Sequence, residues 1–261
     1  MTIVKHELKR GRLSSLIWTC AIAFLLAVCV FLFPEMKGEM SEIGDMFSSM
    51  GSFTQAFGMD KLNFGTLVGY YAIECGNVLG LGGAFFAALV AVGMLCKEEK
   101  DRTAEFLLTH PVSRAHVVTE KLIAVFIQIV MMNLIVYAVS IGSMMAIGEE
   151  VPWKEINLLH LAYFIMQIEI AAICFGISAF MRRGSVGVGL GAAAIMYFLN
   201  LIANITEKAE FLKYITPFGY CDGSDIVSEG ALSTERIVIG LAISVVSIVL
   251  AYLNYGKKDI Q

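Results

Sequence analysis

Six stretches of this chain are apolar for long enough to cross a lipid bilayer: residues 15–33, 67–95, 122–147, 158–181, 185–205 and 237–255. The hydrocarbon layer is about 30 Å thick, and a helix needs roughly 20 consecutive apolar residues to cross it. Water is absent there, so each backbone N–H and C=O must be paired within its own segment, which selects helices. Composition agrees, with 57% hydrophobic and 16% charged residues against about 25% charged in soluble domains. The sequence predicts an all-α membrane protein, residues 1–261 forming one transmembrane domain of six helices.

The lysines and arginines set the expected orientation. With the N-terminus in the cytoplasm, 13 of the 19 fall on the inner side, including Lys9, Arg12, Lys100, Arg183 and Lys257. The outer loops, 34–66, 148–157 and 206–236, then hold 14 of the 23 acids. Both termini are expected inside, as an even number of spans requires. The first span has a basic flank like a signal peptide, but Phe-Leu-Phe-Pro-Glu follows it instead of a small-residue cleavage site, so it reads as a retained helix.

The connections at 148–157 and 182–184 are tight, which makes spans three and four, and four and five, antiparallel neighbours. Residues 2–14 are basic and short. They read equally as an amphipathic helix along the inner interface and as a plain positive flank. In 206–236, Phe211, Tyr214, Phe218 and Tyr220 suit headgroup depth, and Pro217 and Gly219 break a helix. A short outer interfacial helix followed by a turn is expected. Of the six cysteines only Cys221 lies in an outer loop, so no outer pair is available for a disulfide.

Enzyme signatures are missing. The sequence has no HExxH, CxxC, G-x-S-x-G or P-loop motif. Its histidines, His6, His110, His116 and His160, lack metal-ligand spacing. No cofactor or metal is expected on this chain, and no nucleic-acid partner. Two carboxylates do lie inside spans, Glu74 and Glu169, where a charge is expensive and turns toward protein or water. Glu74 shares a helical stripe with Tyr70 and Asn77. Tyr197, Asn200 and Asn204 share another in the fifth span. Both stripes read either as a lined pathway or as hydrogen bonding between helices. Glu169 reads either as part of a pathway or as a paired core residue.

The segment 96–121 is the most charged part of the chain. Helix-favouring residues run from Asp101 to His110, and Pro111 stops them. Ala104, Leu107, Leu108 and Pro111 recur at i, i+3, i+4 and i+7, opposite Glu98, Asp101, Arg102 and Glu105. A short amphipathic helix of this kind can dock into a groove on a soluble partner.

The stretch EEKDRTAEFLLTHPVSRAHVVTEKL resembles the segment after the second helix in permeases of type-2 ABC exporters, through Glu98, Glu99, Thr103, Glu105, Leu107, Leu108, Pro111, Val112, Ser113, Arg114 and Lys121. Arg102 stands where the family pattern has glycine. Residues 215–220, ITPFGY, look like the aromatic-proline element before the family's last helix. The resemblance, closest to the antibiotic- and peptide-exporting branch, implies a permease subunit in a bacterial cell membrane. It implies a second permease copy and two separate ATPase subunits, which carry the ATP and magnesium. The coupling segment would be 98–114, with Glu98, Glu99, Arg102, Thr103, Ala104, Glu105, Leu107, Leu108, Pro111 and Arg114 making the ATPase contact. Amphipathic or antimicrobial peptides are the expected cargo, with drugs, lipids or ions as alternatives. A different class, an ion-coupled carrier or membrane-embedded enzyme, would use Glu74 and Glu169, but it lacks any nucleophile–base or metal cluster.

Overall fold

The computed structural model describes residues 2–48, 51–56, 62–103, 112–182 and 184–258, with side chains for all of these except 39–48, 52, 53 and 207. In chain order the helices are α1 (Thr2–Ser48), α2 (Ser52–Ala56), α3 (Leu67–Cys75), α4 (Gly82–Val92), α5 (Lys97–Asp101), α6 (Arg114–Ala146), α7 (Trp153–Phe180), α8 (Val186–Ile205), α9 (Gly223–Glu229) and α10 (Thr234–Lys257). No strand occurs among the described residues. Six helices are long and apolar enough to span a membrane: α1, the α3–α4 unit, α6, α7, α8 and α10. The helical membrane fold is the one the apolar runs dictate.

The helix ends depart from the apolar runs where polar residues continue a helix. α1 is unbroken for 47 residues. At 1.5 Å per residue it is about 70 Å long, more than twice the hydrocarbon thickness. Residues 2–14 are therefore neither a separate interfacial helix nor a loose flank. They form the first turns of α1, with Val4 and Glu7 buried. Pro34 lies within the helix and removes one backbone donor. α6 starts at Arg114, eight residues before its apolar run, because the Ser113 side chain accepts a hydrogen bond from the His116 N–H and caps it.

The second span is built in three pieces. A π-helical segment, Gly76–Leu81, joins α3 to α4. Its wide turns lie beside Tyr163 of α7, whose hydroxyl would sit 3.0 Å from a Cβ at Gly76. Glycine at that position lets the ring approach the backbone. α7 is the most buried span, enclosed by α10, α4 and α6. Fully buried Gln167 ties α7 to α6 and to the π-helical segment. It accepts from Asn133 Nδ2 at 2.6 Å and donates to the Leu79 carbonyl at 3.5 Å. α8 and α10 are the least buried spans, with Ile195, Phe198 and Val245 more than half exposed.

The segment after α8 folds as two 3₁₀ helices, Glu207–Tyr214 and Pro217–Tyr220, followed by α9. The four aromatics expected at the interface divide. Phe211 and Tyr214 are exposed, whereas Phe218 and Tyr220 are buried. The turn at Pro217, capped by Thr216, folds the latter two back into the bundle. There the Tyr220 hydroxyl donates to Glu169 Oε2 at 2.8 Å. The Glu169 carboxyl lies against Gly240 of α10, where a Cβ would collide with it. Glu169 is thus a core tie between α7, α10 and the 3₁₀ turn.

Removing the donor leaves a buried carboxyl unpaired, at about 1–3 kcal/mol. Tyr220→Phe is expected to lower the stability of the detergent-solubilised protein by about that amount. Glu169→Gln, which keeps an acceptor for Tyr220, is expected to lose less. Thermal unfolding of the two variants checks the order.

Candidate functional site

Two sites emerge at opposite ends of the bundle. The first is at the end where α1 begins and α10 finishes, called the basic end here. It is organised by α5. This five-residue helix stops at Arg102, whose backbone is left-handed (φ 56°, ψ 36°), the only non-glycine with positive φ among the described residues. The Arg102 and Thr103 N–H groups close the cap on Glu98 and Glu99 carbonyls. A left-handed residue with a Cβ is disfavoured by roughly 1–2 kcal/mol, which explains a family preference for glycine here. The turn also divides the expected coupling segment 98–114, because no helix runs unbroken through Arg102. Glu98, Glu99 and Asp101 belong to α5, and the left-handed Arg102 ends that helix. Ala104, Glu105, Leu107, Leu108 and Pro111 lie outside the described residues.

Ion pairs tie α5 to α1, to α6 and to the end of α10. Lys121 of α6 is fully buried. Its ammonium donates to Glu98 Oε1 and to the Met94 carbonyl, both at 2.5 Å, with Glu7 of α1 at 3.9 Å. Lys97 pairs with Glu7 at 2.6 Å. Lys258 pairs with Glu99 at 3.0 Å and donates to the Met181 carbonyl, just past α7, at 2.6 Å. Arg114 donates to the carbonyls of Tyr255, Gly256 and Lys258, holding the end of α10. Arg10 and Asp101 pair at 2.5 Å, and the guanidinium hydrogen bond holds the Asp101 carboxyl below its ordinary range. Glu98, Glu99 and Arg114 thus face their own bundle. Sequence reasoning missed Glu7 and Lys258, which lie far from α5 in the chain. Their only signal was a charge at the edge of an apolar run.

Beside α5 a cleft of about 330 Å³ opens between α1, α4 and the start of α8. Leu89, Val92 and Val186 line its apolar part, and Arg10, Lys97 and Lys100 are among the charges lining the rest.

The second site is at the acidic end. Asn77, Tyr197, Asn200 and Asn204 line one cavity of about 70 Å³, together with Phe218 and Asp222. Tyr70 and Glu74 do not join them. Tyr70 is buried against Phe33 of α1, ring centroids 5.4 Å apart, and Glu74 accepts from the Cys29 thiol at 3.6 Å. The stripe expected to hold all three divides at Cys75, after which the chain turns π-helical from Gly76. Asp222 went unnoticed in the sequence. It caps α9 through a hydrogen bond from Ser224 N–H, and an Asp-Gly-Ser run is its only signature.

A six-helix membrane bundle with a charge-clamped turn at one end, and no metal-binding cluster among the described residues, has the form of a transporter's membrane component. Residues 1–260 match the family described as ABC-2 family transporter protein, and the chain belongs to that family. It is similar to the uncharacterized protein YhcI of Bacillus subtilis (strain 168), 23% identical over 221 residues, which cover 75% of this chain and 70% of that protein. The chain is a multi-pass membrane permease. Membership implies a transporter complex in which a separate ATPase subunit performs the hydrolysis.

Breaking one side of a buried ion pair typically destabilises by 3–5 kcal/mol. Lys121→Met is expected to lose about that much. Adding Glu98→Gln should restore part of it, because the stranded charge is removed. A double-mutant cycle by thermal unfolding measures the recovery.

Proposed function

We propose that two copies of this chain form the membrane pathway of an ATP-driven exporter of amphipathic peptides in a bacterial cell membrane. Two ATPase subunits bind from the cytosol at the basic end. The observation that carries this reading is the attachment of α5 to the bundle. Glu98 and Glu99, in the stretch that resembles the family's coupling segment, are ion-paired to Lys121 and Lys258. A displacement of this segment by the ATPase is then delivered to the ends of α6 and α10. ATP binding on the partner shifts the bundle between inward-open and outward-open populations through its different contacts with the two states.

The cargo assignment is supported by the cleft beside α5, which presents apolar walls and charges together, as an amphipathic ligand requires. Drugs, lipids and ions are the competing cargo. The ion-coupled carrier reading is disfavoured by the surroundings of its two acids, since Glu169 is bonded to Tyr220 and Glu74 to Cys29.

Docking is assigned to Leu107 and Leu108. Each buried leucine is worth about 1.5–3 kcal/mol, and each 1.4 kcal/mol is a factor of ten in affinity. Leu107→Asp with Leu108→Asp is expected to abolish capture of the ATPase in a pull-down and to remove cargo stimulation of ATP hydrolysis. The variant should still insert and assemble. Wild-type capture and stimulation would place the coupling contact elsewhere.

A further inference from the structure

The acidic-end cavity contains an unmet demand for positive charge. Asn200 is 8% exposed, and its Oδ1 is buried with no donor. Asn204 donates through Nδ2 to the Ala56 carbonyl and to Asp222 Oδ2, both at 3.1 Å. Both partners can only accept, so the amide orientation is fixed and its buried Oδ1 is also without a donor. Asp222 Oδ1 accepts from Ser224 N–H at 3.0 Å and from Ser224 Oγ at 2.6 Å. Among the described residues no lysine, arginine or histidine is ion-paired with Asp222. The rings of Tyr197 and Phe218, centroids 5.4 Å apart, also line the space.

We propose that this cavity is a recognition site for a compact cation, either a primary ammonium group or a metal ion. The two orphan amide oxygens and a carboxylate with no ion-pair partner among the described residues complement a group that carries positive charge. Hard oxygen ligands suit a small cation, and aromatic faces add to the attraction for an ammonium. An anion would meet the carboxylate, and an apolar group would leave the buried oxygens unpaired. A cavity of about 70 Å³ exceeds the roughly 10–15 Å³ that one water needs on the same measure. It has room for an ammonium head or a small ion. As a step in export the site rests on the pathway reading above. As an equilibrium binding site it does not, so it and the ATPase contact fail independently.

The test uses the purified full chain in lipid nanodiscs, with N-methylglucamine chloride as the background salt. Sodium, potassium, magnesium, calcium and ethylammonium chlorides are titrated in turn at constant ionic strength, with thermal unfolding as the readout. Bound ligand raises the midpoint saturably. At least one salt is expected to do so. A response to ethylammonium identifies an ammonium site, a response to an inorganic salt identifies a metal-ion site, and either supports the proposal. Asp222→Asn keeps a competent cap for α9 and removes the charge, and it should weaken the response at least tenfold. Asn200→Leu should do the same, and it serves where the first variant does not fold. No saturable response to any salt, or wild-type affinity in the variant, would mean the cavity holds only water and would overturn the proposal.

Discussion

The basic end depends on one buried ammonium. Lys121 is fully enclosed in a bundle whose other interior groups are mostly apolar, and an unpaired charge there would cost several kcal/mol. It is tolerable only because Glu98 and the Met94 carbonyl come to it at 2.5 Å and Glu7 closes the surround. That requirement draws α5 inward and seats the first turns of α1 against the start of α6. The pairing of Glu99 with Lys258 and the hold of Arg114 on the end of α10 complete the attachment. The described part of this turn, α5, is thereby fixed to the spans.

Much of the fold was legible because the bilayer admits so few solutions. Long apolar runs become helices, and six of them were readable as such. The helix ends were harder. Nothing in the hydropathy marks where α1 stops, because a helix continues into water as readily as it crosses lipid when its polar residues favour it. The π-helical segment at Gly76–Leu81 was also invisible, and Tyr163, which packs on its Gly76 and Gly80, lies far from it in the chain. The burial of Tyr220 follows from Glu169, 51 residues away.

The sites were legible in part. The Asn200–Asn204 stripe on α8 required only helical spacing, and both residues line one cavity with Tyr197 and Asn77. Glu74 was grouped with Tyr70 and Asn77 by the same spacing on the second span, and only Asn77 lines the cavity. Asp222 belongs to the cavity through a turn that no periodicity announces. At the basic end the charged residues were evident, but their partners were not, because Glu7 and Lys258 approach α5 from the two ends of the chain. The left-handed backbone at Arg102 gives a physical reason for the family's glycine at that position, since glycine would reach that conformation without strain.

Clamped by these ion pairs, α5 is expected to move as one body with the spans it is paired to. Spin labels at exposed Lys100 and Lys257, in the chain reconstituted with its ATPase, report the separation of α5 from the end of α10 by pulsed electron resonance. The same distance distribution is expected without nucleotide and with ATP bound to a non-hydrolysing ATPase. A nucleotide-dependent change in that distance would show α5 sliding over the bundle and would rule out rigid attachment.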